Sequence, residues 1–227
     1  MYKRQGQKYR QRLLQAAEPL RSTGFEWFDG LTGGYQDSIL MWIASAYKQR
    51  KTTLLLNMLL AAAVLGEKPA LLSGEMTQEQ VYWQLISMLA VQNLYQRGKY
   101  ADSYKAKDGK TIPLNWINAT ALRNAQDAYR SWHVDKVQAI DWALDFYETL
   151  DIRIYDSTDD LGGLKDLDSI TRVVKYDMAR HNGRRFFGDY IQLFEADGSN
   201  MVEKEQAKAR GLQQLTCLLY TSPSPRG

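Results

Sequence analysis

Residues 39–44 (ILMWIA) form an apolar run of strand length, and residues 54–65 (LLLNMLLAAAVL) an apolar run of helix length. Between them lie Ser45, Ala46, Tyr47, Lys48, Gln49, Arg50, Lys51, Thr52 and Thr53. No other feature constrains the fold as tightly. A strand that turns through a tight loop into Lys-Thr at a helix start gathers unpaired N–H groups, a positive dipole end and an ammonium at one point. That is the context of a phosphate-binding loop, usually written G-x-x-x-x-G-K-[ST]. Here it reads S-x-x-x-x-R-K-T, with Ser45 and Arg50 at the two glycine positions. Side chains there restrict the backbone and hinder its close approach to a phosphate, while Lys48 and Arg50 add positive charge. Taken alone, the loop fits either a nucleotide site or a solvated surface turn.

The rest of the chain alternates in the same way. Apolar runs of strand length recur at residues 69–73, 151–156 and 185–193, with Ile152 and Ile154 in clean alternation. Val81, Leu85, Met88 and Leu89 share one face of a helix that follows the first of these runs. Ile170, Val173, Val174 and Met178 mark a second amphipathic helix over residues 168–182, with Gly183 as its expected stop. Strands alternating with helices predict an α/β fold, a mostly parallel sheet flanked by helices. Residues 6–20 are polar and basic and read as a linker helix that needs a partner surface. The turn-rich stretch after it is expected to bury Phe25, Trp27, Phe28 and Leu31 as anchors. Residues 94–142 are rich in Tyr, Lys, Asp and Trp, fit the alternation poorly, and are expected to be an insertion on one edge of the sheet.

Both ends look foreign to the protein. Residues 217–227 (CLLYTSPSPRG) resemble the translation of a transposase sequencing adapter, and residues 1–5 (MYKRQ) the same adapter read on the opposite strand. With both set aside as processing scars, residues 6–216 are expected to be an internal fragment of a longer protein, truncated at its C-terminus. The charge then changes meaning. There are 29 Lys and Arg against 26 Asp and Glu, but Lys3, Arg4 and Arg226 lie in the suspect ends, so the formal +3 falls to zero. A nucleic-acid assignment from charge alone loses its support. Cys217, the single cysteine, also lies in the tail, which excludes disulfides and thiolate chemistry and suits a reducing cytoplasm. No run reaches the roughly 18 apolar residues of a membrane span, so no membrane partner is expected. The length supports one sizeable core.

In an open α/β sheet, ligands gather at the carboxyl ends of the strands. Three polar groups fall there: Lys51-Thr52, Glu75 and Asp189. The Lys51 ammonium can reach the outer phosphates of a nucleotide, and the Thr52 hydroxyl can ligate Mg²⁺. Asp189 can hold Mg²⁺ through water or simply cap the next turn; Gly188 stands before it, where a large apolar residue is usual. Glu75 can orient or deprotonate a water attacking a γ-phosphate. Thr77 and Gln80 fit a capping box, so the same segment also reads as a plain helix start. His133 and His181 show no metal-ligand spacing. Arg172, Lys175, Arg180, Arg184 and Arg185 read as a solvated helix face more readily than as a nucleic-acid track.

In order along the chain, STGFEWFDGLTGG, RKTTLLLNM, LLSGEMTQEQ, IRIYDST and DYIQLF resemble the ATPase domain of DnaB-type replicative helicases. That family typically reads S-T-G-F-x-x-L-D-x-x-T-G-G, G-K-T-T, S-x-E-M-[ST] and D-Y-[LI]-Q-L. The resemblance covers residues 21–216, with 94–142 unmatched. It implies a RecA-like P-loop ATPase core that uses ATP and Mg²⁺. By this resemblance residues 45–53 bind the nucleotide, Lys51 and Glu75 are catalytic, Thr52 and Asp189 hold Mg²⁺, and Gln192 lies beside the site. It further implies a homo-hexamer acting on single-stranded DNA, with primase and a helicase loader as candidate partners, in a bacterium or encoded by its phage. DNA-contacting loops and an arginine finger would lie beyond residue 216. Two competitors remain. A recombinase or regulatory ATPase shares the strand-end carboxylates but not STGF…TGG and DYIQL together, and a catalytically silent assembly module accounts for the missing glycines.

Overall fold

The computed structural model describes residues 20–35, 41, 50–106, 109–158, 163–164, 166–183, 185–189 and 200–221. The expected linker helix (except residue 20), the strand at 39–44 (except Met41), loop residues 45–49 and Gln192 fall outside the described residues. In chain order the elements are α1 (Glu26–Thr32), α2 (Lys51–Val64), β1 (Ala70–Ser73), α3 (Gln78–Gln96), β2 (Ser103–Lys105) and β3 (Thr111–Pro113). There follow α4 (Ala119–Ala125), a 3-10 turn (Gln126–Ser131), α5 (Val134–Glu148), β4 (Arg153–Asp156), α6 (Leu167–His181), β5 (Phe186–Asp189) and α7 (Met201–Thr221).

The described residues form a parallel sheet in the order β4-β1-β5. Side chains alternate across a strand, and here both faces are apolar. Leu71, Ile154 and Phe187 pack on one side with Leu56 and Leu59 of α2, Leu85 and Leu89 of α3, and Ile140 of α5. Ala70, Leu72, Tyr155 and Phe186 pack on the other with Ile170, Val173 and Val174 of α6 and Leu212 of α7. Helices thus cover both faces, as a buried parallel sheet requires. Burying a Leu, Ile or Val side chain contributes roughly 1.5–3 kcal/mol, and these two clusters hold the layers together.

Several expectations need correction in detail. Trp27 and Leu31 are not buried anchors: they are 68% and 80% exposed. Phe25 and Phe28 are half-buried, and with them turned inward the helical period carries Trp27 and Leu31, four residues apart, to the outer face of α1. The α6 stop is Asn182, left-handed at φ 55°, rather than Gly183. Gly183 matters for space instead, since a Cβ there would sit 1.7 Å from Asp177 Oδ2. The expected insertion at residues 94–142 shares in the main core. Leu114, Ile117, Leu122 and Tyr129 join the same core as α2 and α3.

The motif around α1 is scaffold. The Asp29 carboxylate accepts from Ser22 Oγ at 2.5 Å, Thr23 Oγ1 at 2.7 Å and Thr23 N–H at 3.0 Å. Burial would raise the Asp29 pKa, but these donors outweigh it and hold it below its ordinary value. Gly24, at φ +86°, lets the loop touch α2: a Cβ would lie 2.3 Å from Ala61 Cβ.

The amino ends of the strands are tied by ion pairs. Arg153 donates from Nε to Asp177 Oδ1 at 2.5 Å and from Nη2 to Oδ2 at 3.1 Å, and Tyr155 adds its hydroxyl at 2.8 Å. Asp177 is fully buried. Arg185 pairs with Glu67 and lies 3.8 Å over the Tyr35 ring. Burial, aided by Arg21, pushes the Arg185 pKa down to about 10. Arg185 is therefore committed to the fold, while Arg172, Lys175 and Arg180 are exposed on α6.

Candidate functional site

The parallel register aligns Asp156, Ser73 and Asp189 in one row at the carboxyl ends of β4, β1 and β5. Each stands two residues beyond a side chain packed toward α2 and α3 (Ile154, Leu71 and Phe187), so alternation turns all three toward those helices.

Asp189 meets the first turn of α2. Thr52 Oγ1 donates to Asp189 Oδ2 at 2.8 Å, across a sequence separation of 137. The carboxylate is buried, and Thr52 is half-buried at the second position of the helix. A hydroxyl and a carboxylate facing one another at a helix N-terminus form a hard-oxygen pair. Such a pair suits Mg²⁺, which keeps several waters and takes one or two protein oxygens beside substrate phosphates. Lys51 opens α2 immediately before Thr52, and the Thr53 carbonyl is used by Asn57 Nδ2 at 2.7 Å.

Arg50 caps this helix at φ 57°, ψ 35°. The backbone therefore keeps the left-handed path that glycine adopts without strain, with a side chain mounted on it. Gly188 has no such constraint, since a Cβ there would meet nothing within 4 Å.

Glu75 sits at the tip of a braced turn. Gly74 N–H donates to the Asp189 carbonyl at 3.3 Å, continuing the sheet by one residue. Ser73 Oγ donates to the Met76 carbonyl at 2.7 Å and accepts from Met76 N–H at 3.1 Å. Thr77 and Gln80 then form the capping box, at 3.0 Å and 3.3 Å. The carboxylate of Glu75 itself is exposed and makes no bond to Thr52 or Asp189; its backbone lies one residue past the Gly74–Asp189 bond. The turn opens on a cleft of about 680 Å³ bordered by Glu75, Trp83 and Gln84 and, from α4, by Thr120 and Arg123.

Asp156 is a site-forming residue that the motif reading passed over. Its carboxylate accepts from Gln78 N–H at 2.7 Å, and from Thr158 N–H at 2.8 Å and Thr158 Oγ1 at 2.6 Å. Burial pushes its pKa up, but these three bonds outweigh burial and lower it. The signal was the string Asp-Ser-Thr at a strand end, a turn-forming pattern, whereas the partner Gln78 lies 78 residues away. The histidines serve locally. His133 caps α5 by accepting from Asp135 N–H at 3.3 Å, and His181 ends α6.

Among curated protein sequences nothing matches the chain. Among solved structures, a DnaB-like replicative helicase described with its interactions with primase is similar at TM-score 0.68 and 18% identity, over 93% of this chain and 45% of that one. A second solved structure, of an ATPase domain, is similar at TM-score 0.67 and 17% identity, over 96% of this chain and 68% of that one. The chain thus spans less than half the length of the first of these. At such identity the likeness speaks to the fold alone. The DnaB-like helicase C-terminal domain model matches residues 21–218, and by that match the chain belongs to the DnaB-like helicase C-terminal domain family.

Proposed function

We propose that this chain is the ATP-hydrolysing motor domain of a replicative DNA helicase, which in the intact protein couples hydrolysis to movement along single-stranded DNA and duplex unwinding. Family membership supports the class. The observation that carries the site is the 2.8 Å bond between Thr52 and Asp189, two residues whose shared chemistry is hard-oxygen ligation beside a helix N-terminus.

Residues 45–53 cradle the phosphates, with Lys51 against the outer ones and Thr53 continuing the helix start. The Thr52 hydroxyl would hold Mg²⁺ directly, and Asp189 would hold it through water. When bound with the nucleotide, that cation neutralises charge developing on the transferred phosphoryl group. Glu75, carried on a braced turn beside the Asp189 carbonyl, orients and deprotonates the attacking water. Gln192, in the same motif as Asp189, lies beside the site.

By the same reading residues 21–216 form the motor domain, residues 6–20 a linker helix docking on a neighbouring subunit, and the intact protein a hexamer. One similar structure is of a helicase with its interactions with primase; primase and a loader are the partners proposed here, in a bacterial or phage-infected cytoplasm. The test is Lys51→Ala in the intact protein, followed by ATP hydrolysis and strand separation. Both should fall by roughly 100-fold or more, as for loss of a preorganised transition-state contact. Unchanged rates would show that this loop does not serve the nucleotide. Absence of any Mg²⁺-dependent ATP binding by the unaltered protein would favour the silent assembly module.

A further inference from the structure

We propose that Arg123 is a positioning residue for Glu75, so that the 94–142 segment reaches into the hydrolytic step. This rests on the reading of Glu75 as the group that activates water.

Two opposite charges face one cleft. Glu75 borders it from the turn after β1, Trp83 and Gln84 from α3, and Arg123 from α4. Arg123 is the only cationic side chain bordering this cleft among the described residues. Neither Glu75 nor Arg123 makes a hydrogen bond or ion pair among the described residues, unlike Arg153 and Arg185 at the other edge of the sheet.

Both borders are fixed. The turn bearing Glu75 is held at Ser73, Gly74 and Gln78. Helix α4 is capped by Asn118 Oδ1, which accepts from Thr120 N–H at 2.8 Å and Ala121 N–H at 3.2 Å. Fully buried Leu122 locks the helix into the main core, and Arg123 is the next residue. The backbone of Glu75 is thus rigid while its side chain is exposed and unbonded. A carboxylate in that state samples many rotamers, and few of them aim at an attacking water. A guanidinium bordering the same cleft favours the rotamers that turn into it, and its planar fork restrains a carboxylate in two dimensions. Orientation of this kind acts on turnover and not on nucleotide affinity. Nothing in the sequence signals it, because the segment carrying Arg123 has no counterpart in the motif pattern.

The experiment compares Arg123→Ala and Arg123→Lys in the intact protein, by steady-state hydrolysis across ATP concentrations and by Mg²⁺-nucleotide binding. The expected result is a kcat lowered about 10-fold in Arg123→Ala, as for a misoriented catalytic group, with KM and affinity unchanged. Arg123→Lys should recover most of the rate. Where Arg123→Ala does not fold, Arg123→Gln takes its place, with the same expectation. An unchanged kcat overturns the proposal. So does a loss shared with KM and affinity, or a folded Lys variant that recovers nothing. Glu75→Gln separates the two readings. If it hydrolyses ATP at the unaltered rate, the role of Glu75 falls and this inference with it. If it is inactive while the Arg123 variants are not, only the role of Arg123 falls.

Discussion

The two edges of the sheet are built to opposite rules. At the amino edge, charges are paired and buried: Asp177 binds Arg153 and Tyr155, and Arg185 binds Glu67 beneath Tyr35. At the carboxyl edge, Thr52 and Asp189 share one bond beside a helix start, and Glu75 and Arg123 border one cleft with side chains unbonded among the described residues. Satisfied polar groups rigidify a fold. Groups left with spare hydrogen-bonding capacity are what a ligand can use. One edge therefore holds the molecule together, and the other holds what it is proposed to act upon.

Substitutions at the two edges should separate stability from ligand binding. The largest expected effect is Asp177→Ala. It takes the acceptor from Arg153 Nε and from the Tyr155 hydroxyl, leaving Arg153 only Asp151 and the Lys68 carbonyl among the described residues. It should cost about 3–5 kcal/mol in urea denaturation, with nucleotide affinity of the folded fraction intact. A fall in affinity at constant stability would erase the distinction between the edges.

Asp156→Asn should come next. Asp156 sits at the carboxyl edge yet is bonded like the amino edge, so it tests where the boundary runs. It should cost about 1–3 kcal/mol at neutral pH. The Asp156 carboxyl is held below its ordinary 3.8 in the folded state. Its contribution is therefore complete above that value and is lost as the pH falls from there through the folded pKa. The variant should lose correspondingly less stability in an acid titration followed by circular dichroism. An identical acid profile would remove Asp156 from the set of pH-linked groups.

Thr52→Ala removes a single hydrogen bond and should cost only about 1 kcal/mol of stability, while Mg²⁺-dependent ATP binding is lost in calorimetric titration. Retained binding would mean that the pair with Asp189 is structural. The smallest effect is Arg50→Gly. It relieves a left-handed backbone, at φ 57°, and should raise stability by up to about 1 kcal/mol in thermal melts. A destabilised variant would show that the Arg50 side chain makes compensating contacts.

Much of the layer plan was legible because it depends on local periodicity. Val81, Leu85 and Leu89 at helical spacing, and Ile152 and Ile154 at strand spacing, each declare one face without reference to the rest of the chain. The capping box at Thr77 and Gln80 was equally readable, since both partners lie within one turn. Trp27 and Leu31 misled the reading because an aromatic or Leu in a short helix can face either way. Which way depends on the docking of Phe25 against the main core, which no short window contains. The packing of the 94–142 segment was not legible for a related reason. Its apolar residues are irregularly spaced, and only the tertiary fold brings Leu114, Ile117, Leu122 and Tyr129 together in the main core.

From the amino acids alone came the alternation of strand and helix, the place of Lys51 and Thr52 at a helix start, and the strand-end positions of Glu75 and Asp189. Each follows from side-chain period or from chemistry within a few neighbouring residues. Only the folded chain decided that Thr52 would face Asp189, that Asp156 would brace the turn of Glu75, and that Arg123 would border the same cleft as Glu75. Those relations are set by parallel strand register and helix docking over separations of tens of residues. Such terms enter the free energy only when the whole core closes.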